Sequence, residues 1–443
     1  MVLPQTGTGT RRTLALVDLH SSLADPLLDT MTFLNEVTTR YPQALSFAPG
    51  RPYDSLFDPG RIGEYLDTYT GYLRRQGYSE HEVRAALFQY GRTKGQIHTL
   101  IAETVANDEG IDVPADAVVV TVGAQEGMFL LLRALFTGPG DVLLASSPCY
   151  IGITGAARLL DIEVVPVPET PAGPDPRTVA EIARRVVAEG KRPRALYIVP
   201  DFANPSGASM TVPARQALID VAAAGGFPVI EDNPYGFFTR EVEQRPTLKS
   251  LDRDGDVIYL GSFAKTCFPG ARLGYVLADQ EVLGEDGRRS LLADELAKIK
   301  SMITVNTPSL SQAVIGGILV SCGCRLREAN AEAISFYRSS LLTVLAELER
   351  HFPERRRADL GLSWNSPEGG FFTVLSVPFT ADEAALERSA REHGVLWTPM
   401  DAFYLDGGGR RQLRISSSYL APEQVADGID RLAAFIVSEA SRG

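Results

Sequence analysis

Between Asp256 and Arg272 the chain carries a single charged side chain, Lys265. An apolar, largely β-branched and aromatic run, Val257-Ile258-Tyr259-Leu260, precedes it and has the length of a strand. The chain turns at Gly261-Ser262 and again at Pro269-Gly270, and Arg272 then leads into a second apolar run, Leu273 to Leu277. A lysine desolvated at a strand end loses part of its preference for the charged form, so its amine becomes a nucleophile near neutral pH. Ser262 and Arg272 flank it with a hydroxyl and a planar guanidinium, groups that hold a phosphate. An amine beside a phosphate site is the arrangement that carries pyridoxal phosphate (PLP) as a Schiff base. Taken alone, the stretch reads equally well as a strand, a loop and a solvated lysine.

Four further segments offer complementary groups, each following a strand-like run. Val122-Gly123-Ala124-Gln125-Glu126-Gly127 ends one run and opens a helix, where free backbone N–H groups and the helix dipole receive a phosphate. Ser147-Pro148-Cys149-Tyr150 places an aromatic ring at the next strand end, to stack on a flat ligand or to fill a core. Asp201-Phe202-Ala203-Asn204-Pro205-Ser206-Gly207 presents an amide fixed by proline and glycine, and Glu231-Asp232-Asn233-Pro234-Tyr235 presents a carboxylate and a phenol. PLP draws electrons only if its ring nitrogen stays protonated, which a carboxylate such as Asp232 favours. A turn or helix cap is the alternative employment for that aspartate. Donors to the ring's 3′-oxygen are available in Asn204 and Tyr235. Earlier, the loop Ser46–Asp54 keeps its backbone open through Gly and Pro, and Gly50, Arg51 and Tyr53 are candidates to face a ligand or to be plain surface.

These loops need a scaffold, and the chain supplies an alternating one. Strand-like runs at 117–122, 141–145, 163–167, 195–199 and 228–230 are separated by helical patterns at 125–136, 152–160, 178–188 and 214–224. Short apolar strands alternating with helices predict an α/β fold with a mostly parallel sheet covered on both faces. Ligands in such sheets gather beyond the carboxyl ends of the strands. A helical pattern spans Leu19 to Tyr41, with Leu27, Leu28, Met31, Leu34 and Val37 in register and Asp25-Pro26 as its start signal. Helices are also predicted at 97–106, 291–301, 309–323 and 328–350. The last part changes character: strands at 371–377, 395–398 and 412–415 mix with helices at 382–393 and 422–440, predicting a smaller α+β domain. The expected division is 1–54 as an N-terminal tail and a helix packing with the small domain, 55–325 as the large domain, and 326–443 as the small one.

The composition narrows the partners. A chain of 443 residues with 44% hydrophobic content can build a large core and two domains. Its formal net charge of −12 disfavours nucleic acid or an anionic membrane, both of which need a basic face. Four cysteines, Cys149, Cys267, Cys322 and Cys324, make no disulfide framework, so a reducing cytoplasm is expected. Cys322-Gly323-Cys324 has no matching Cys or His pair nearby, so no metal site is expected. Residues 1–12, rich in Gly, Thr and Pro, read as a mobile tail, and neither Thr10-Arg11-Arg12-Thr13 nor Leu3-Pro4-Gln5-Thr6-Gly7 has the hydrophobic stretch a targeting signal needs.

Ser262-Phe263-Ala264-Lys265 followed by Gly270-Ala271-Arg272-Leu273-Gly274 resembles the lysine segment of fold-type I, class I/II aminotransferases, and the four preceding loops resemble that family's corresponding segments. The resemblance runs over residues 45–435 and implies a large domain with a seven-stranded type of sheet, PLP as cofactor and a homodimer. It implies that Lys265 binds the cofactor and shuttles a proton, that Asp232 pairs with the ring nitrogen, and that Asn204 and Tyr235 contact the 3′-oxygen. By the same resemblance Tyr150 stacks on the ring, Ala124, Gln125, Ser262 and Arg272 hold the phosphate, and Tyr90 reaches the phosphate of the neighbouring subunit. Arg414 in Leu413-Arg414-Ile415-Ser416 resembles the arginine that clamps a substrate carboxylate. Ala264 departs from the serine of many relatives, which removes one phosphate hydroxyl at a cost of about 1 kcal/mol.

The implied reaction moves an amino group between an amino acid and a 2-oxo acid. Segments 46–54, 87–96 and 119–135 most resemble aminotransferases that make arylglycines for peptide natural products, of the hydroxyphenylglycine and dihydroxyphenylglycine type. A β-eliminating C–S lyase or a decarboxylating deaminase acting on a cysteine conjugate is the alternative on the same scaffold. A regulator with an aminotransferase-like domain is disfavoured, since the acidic chain leaves no room for a DNA-binding module before residue 45. His20, Arg51 and Tyr53 are candidates for the side-chain pocket.

Overall fold

The structure is a computed structural model and describes residues 13–240 and 245–442. The expected mobile tail, residues 1–12, lies outside them. At its centre is an eight-stranded sheet in the order β2-β9-β8-β7-β6-β3-β4-β5. The strands are β2 (Val118–Thr121), β3 (Asp141–Ser147), β4 (Glu163–Thr170), β5 (Gly173–Pro174), β6 (Arg192–Ile198), β7 (Val229–Asp232), β8 (Val257–Ser262) and β9 (Gly274–Leu277). The contiguous set β4, β3, β6, β7 and β8 is parallel, whereas β9 runs antiparallel to both β8 and β2. The sheet is therefore mostly parallel, as expected, with β9, one in from the edge, and the short edge strand β5 running against the rest, and it has eight strands where seven were expected, β5 being only two residues long. A hairpin, β10 (Glu281–Leu283) and β11 (Arg289–Leu291), follows it.

Side-chain alternation explains why these runs are apolar throughout. Leu143, Ala145, Tyr197, Ile230, Ile258 and Leu260 pack on one face against helix residues such as Met128, Leu131 and Ile153. Val142, Leu144, Leu196, Ile198, Val229 and Val257 pack on the other against Val179, Ile182 and Leu218. A strand buried on both faces has no position where a polar residue sits without cost. The carboxyl ends of β6, β7 and β8 hand the chain to the loops bearing Asn204, to Asp232 itself, and to the Lys265 segment.

The C-terminal part forms a second, four-stranded antiparallel sheet in the order β12-β13-β16-β15, made of Ser363–Trp364, Phe372–Ser376, Gln412–Ser416 and Thr398–Pro399. The N-terminal segment is stitched into it. β1 (Leu45–Ser46) pairs in parallel with β14 (Val395–Leu396), and Val37, Phe47 and Ala48 join the core of Val344, Leu413 and Ile429.

Several boundaries differ from expectation for local reasons. The predicted strand 395–398 is two short strands serving different partners, since β14 pairs with β1 while β15 pairs with β16. The predicted helix 382–393 is Glu383–Arg388 running into a wider π turn at Ser389–His393, where Ser389 is buried and bonds the Val395 carbonyl. In the N-terminal pattern 19–41, the α-helix starts only at Pro26, with Asp25 accepting from the Leu27 amide at 3.0 Å, and single 3₁₀ turns precede it. Leu27, Leu28 and Val37 are described in that helix, while the side chains of Met31 and Leu34 lie outside the described set. Helices Arg61–Arg75 and Glu80–Phe88 had no counterpart in the sequence reading, because each buries only a narrow stripe (Tyr69 and Leu73, and Val83) beneath a charged surface. Among the described residues no helix is long and apolar enough to cross a membrane.

Candidate active site

A cavity of about 640 Å³ opens beyond the carboxyl ends of the central strands, and Lys265 lies in its wall. The lysine follows β8 by three residues, and its Nζ donates to the Gly50 carbonyl at 2.6 Å. Burial, then the nearby Arg272 and Arg414 guanidinia, lower its pKa to about 8. The amine is thus part-neutral at a pH where an exposed lysine is fully charged, as a nucleophile or proton carrier requires.

Asp232, the last residue of β7, faces the same cavity from 3% exposure. Tyr197, one strand over on β6, donates its hydroxyl to Asp232 Oδ2 at 2.6 Å. Oδ1 is buried and has no hydrogen-bond partner among the described residues. Burial raises the Asp232 pKa and the Tyr197 hydroxyl offsets part of that rise, leaving it at about 7. A buried carboxylate with one oxygen anchored and one free is set to take a cation or an N–H group.

One end of the cavity is built for an anion. Helix Gly123–Leu135 opens into it with no side-chain cap on its first amides. Gly123 adopts φ +72°, a conformation that favours glycine, and a Cβ there would stand 2.7 Å from Arg272 Nη2 and displace the guanidinium that lies over the helix mouth. Arg272 itself is left-handed at φ 49°, a conformation rare outside glycine and found where geometry serves a site. Ala124, Gln125, Ser262 and Arg272 all line this end. The Gln125 side-chain amide, however, is spent on the Gly152 carbonyl at 2.7 Å, and Ser262 Oγ accepts from the Ala264 amide at 3.2 Å. Glu126, in the first turn, is neutralised by fully buried Lys300 at 2.7 Å, so its charge does not oppose an anion.

The other end belongs to Arg414 on β16. Its Nη1 donates to Asn204 Oδ1 at 2.5 Å, its Nη2 donates to the Ala48 carbonyl at 2.9 Å, and Nε is buried without a partner. The guanidinium lies 4.3 Å from the Phe372 ring centroid and 5.2 Å from that of Phe403. Burial lowers its pKa to about 10, which leaves it charged at neutral pH. Tyr235 sits edge-on to Phe371 and Phe372 and shares a hydrogen bond with Asn204. Tyr150 lines the cavity with its pKa raised to about 12 by burial. Gly50 and Arg51 line it too, with the Arg51 guanidinium 4.3 Å over the Tyr419 ring.

The structure therefore brings twelve of the thirteen candidate residues to one cavity and leaves one outside. Tyr90 does not line it and is 85% exposed. Of the side-chain pocket candidates, Arg51 is in the wall, whereas Tyr53 stacks on Phe336 at 5.0 Å and His20 caps a 3₁₀ turn and reaches Asp161 at 3.3 Å. The sequence reading missed Tyr197, which sits inside a core strand, and Thr38, Phe372 and Phe403, which reach the cavity from elements distant in the chain. Lys265, Arg272, Arg414 and Arg51 against Asp232 make this wall cationic in a chain of net charge −12, so the cavity selects anionic ligands.

A nucleophilic lysine at the end of a parallel sheet, an acid with a free oxygen, an anion cradle and a guanidinium clamp define a lysine-centred transfer site. The chain belongs to the class I and II aminotransferases, whose family description it matches over residues 75–432. It is an enzyme of amino-group transfer. It is 50% identical to the (S)-3,5-dihydroxyphenylglycine transaminase of Amycolatopsis orientalis over 96% of this chain and 95% of that protein. It is 30% identical to aromatic-amino-acid aminotransferase 1 of Thermococcus litoralis, covering 89% of this chain and 88% of the relative. The solved structure of LysN, the α-aminoadipate aminotransferase of Thermus thermophilus in complex with N-(5′-phosphopyridoxyl)-L-leucine, superposes with a TM-score of 0.80. That likeness covers 97% of this chain and all of LysN at 27% identity.

Proposed function

We propose that this chain is a PLP-dependent transaminase interconverting an arylglycine-type amino acid and its 2-oxo acid, working as a homodimer in the cytoplasm. The observation that carries the reading is the unpaired buried Oδ1 of Asp232 in the same cavity as the part-neutral Lys265. An acid in that position suits a pyridinium N–H. The anion cradle at Gly123 and Arg272 suits the phosphate, so the residues present fit the group. In this reading Lys265 holds the cofactor, Asp232 its ring nitrogen, and Asn204 with Tyr235 its 3′-oxygen. Tyr150 covers the ring, and Ser262, Arg272 and the amides of Ala124 and Gln125 hold the phosphate. When bound, PLP supplies the electron sink that accepts the pair left when the Cα–H bond breaks.

The chain's own residues do the rest. Arg414 takes the substrate carboxylate through its fork, with Asn204 fixing the guanidinium plane. That anchorage sets which bond at Cα stands ready to break, and Lys265 Nζ takes the proton from Cα and returns it on the other side of the exchange. Phe372 and Phe403 stack about the guanidinium and keep water from it. The aryl group then lies toward Thr38, Gly50, Arg51 and Ile151, where the Thr38 hydroxyl and the Arg51 guanidinium can meet ring hydroxyls. The identity to the dihydroxyphenylglycine transaminase over nearly the whole chain supports this side chain. Support for the homodimer comes from Phe88, Tyr90, Met302, Val305 and Leu310, apolar or aromatic and 48–85% exposed, a surface that a second copy would cover.

Incubation with PLP and borohydride reduction tests the reading directly. The expected result is a protein that PLP colours and on which borohydride then fixes the label at Lys265, while in a separate, unreduced sample an arylglycine converts the cofactor to its amine form without an added acceptor. A colourless protein, or release of ammonia and pyruvate from a cysteine conjugate without that conversion, would overturn it.

A further inference from the structure

Glu109, the last residue of helix His98–Glu109, lies outside the cofactor cavity and takes no part in the chemistry above. Its Oε2 accepts from the Tyr259 hydroxyl at 2.6 Å and from the Asn233 side-chain amide at 3.3 Å. Asn233 stands between Asp232 and Tyr235, and its Oδ1 accepts from the Gly236 amide at 3.0 Å, closing the turn that carries them. Tyr259 is 1% exposed on β8, the strand that delivers Ser262 and Lys265. Glu109 also shares a cavity of about 20 Å³, room for one water, with Asn233, Tyr259, Ser262 and Thr266.

We propose that Glu109 is a positioning residue, bracing from behind both the turn that carries Asp232 and Tyr235 and the segment that carries Lys265. It rests on the PLP reading for its effect on the cofactor, but not for the brace itself. The charged and titratable groups around it are Arg327, Asp108, Asp201, Tyr259 and Tyr275. Arg327 adds a second tie to the same turn by donating to the Gly236 carbonyl at 3.2 Å. Enclosure holds the Glu109 carboxyl well above the usual range, to about 7, so a shape-matched amide can replace it as an acceptor.

The test compares Glu109→Gln, Glu109→Ala and Tyr259→Phe. Glu109→Gln is expected to stay within about twofold of the parent in the rate at which the holoenzyme releases PLP, because the acceptor survives. Glu109→Ala is expected to release it about tenfold faster and to move the pH midpoint of the visible absorbance band, with Tyr259→Phe changing both in the same direction but less. Hydrogen exchange on the cofactor-free protein is expected to rise across residues 233–236 in Glu109→Ala and Tyr259→Phe but not in Glu109→Gln. Unchanged release and unchanged exchange in Glu109→Ala sink the proposal, as does a Glu109→Gln as impaired as the alanine variant. If Glu109→Ala fails to fold, Tyr259→Phe decides by the same two readouts. A parent protein that never takes up PLP overturns the cofactor reading alone, and the exchange measurement then judges the brace.

Discussion

Tyr197 and Asp232 stand on adjacent parallel strands, and the tyrosine hydroxyl holds one carboxylate oxygen at 2.6 Å while the other stays free. The bond fixes which oxygen meets a ligand and offsets part of the rise that burial causes, leaving the pKa at about 7. Tyr197→Phe removes the hydroxyl without emptying the core. We expect PLP affinity and kcat/KM each to fall about tenfold, the usual worth of a hydrogen bond to a charged group. Absorbance titration of the holoenzyme should show a displaced pH midpoint. A variant with the parent's titration curve would mean that Asp232 orients itself.

Gly123→Ala should empty the anion cradle while leaving the fold. The added Cβ would stand 2.7 Å from Arg272 Nη2, at a φ of +72° that alanine resists. A stability loss of about 1 kcal/mol is expected, alongside a fall of at least about tenfold in affinity for PLP or for inorganic phosphate. Equilibrium dialysis checks the second, and unchanged phosphate affinity would place the anion elsewhere.

Arg414→Lys should separate binding of substrate from binding of cofactor. A lysine keeps the charge but loses the planar fork that reaches Asn204 and Ala48. KM for the amino acid is expected to rise by about tenfold to a hundredfold, about 1.5–3 kcal/mol, while the absorbance of the resting holoenzyme is unchanged. Steady-state kinetics beside a spectrum distinguish this from general damage to the site.

The cofactor-free protein should lose stability as pH rises through neutrality. Burial lifts Asp232, Glu109 and Glu169 to about 7 and Glu231 to about 8. The unfolded chain releases those protons near pH 4, so between roughly 4.5 and 7 the folded state binds more protons and stability falls with pH. The contribution is complete below the unfolded values and gone above about 8. Lys265, lowered to about 8, acts oppositely but only above that pH. Melting temperatures measured from about pH 5.5 to 8.5 should decline, and PLP should flatten the slope by giving Asp232 a cationic partner. A curve rising over that range would contradict it.

Much of this was legible in the sequence because the strand-end loops carry their chemistry within a few residues of an apolar run. Asn204, Asp232 and Lys265 each follow a strand that periodicity locates, and a parallel sheet brings such ends together. Tyr197 was hidden because an aromatic inside a core strand looks the same whether its hydroxyl is employed or not. Thr38, Phe372 and Phe403 reach the cavity from the N-terminal helix, β13 and a 3₁₀ turn, elements far from the lysine segment in the chain, which no local pattern encodes. The split of 395–398 between β1 and β16 was invisible for the same reason, and the narrow buried stripe of Arg61–Arg75 gave too little hydrophobic signal to mark a helix. Tyr90, expected to reach a neighbouring subunit, stands exposed outside the cavity of its own chain.

The Gly50 carbonyl that holds Lys265 reaches it because the strand just before, Leu45–Ser46, is laced to Val395–Leu396. The reactive amine is thus held by a segment 215 residues earlier, whose own anchor, Val395–Leu396, lies on the far side of the lysine in the chain. Loosening the pairing of Leu45–Ser46 with Val395–Leu396 would therefore release the lysine while leaving the central sheet intact. Control of this amine thus rests on contacts outside the sheet that presents it.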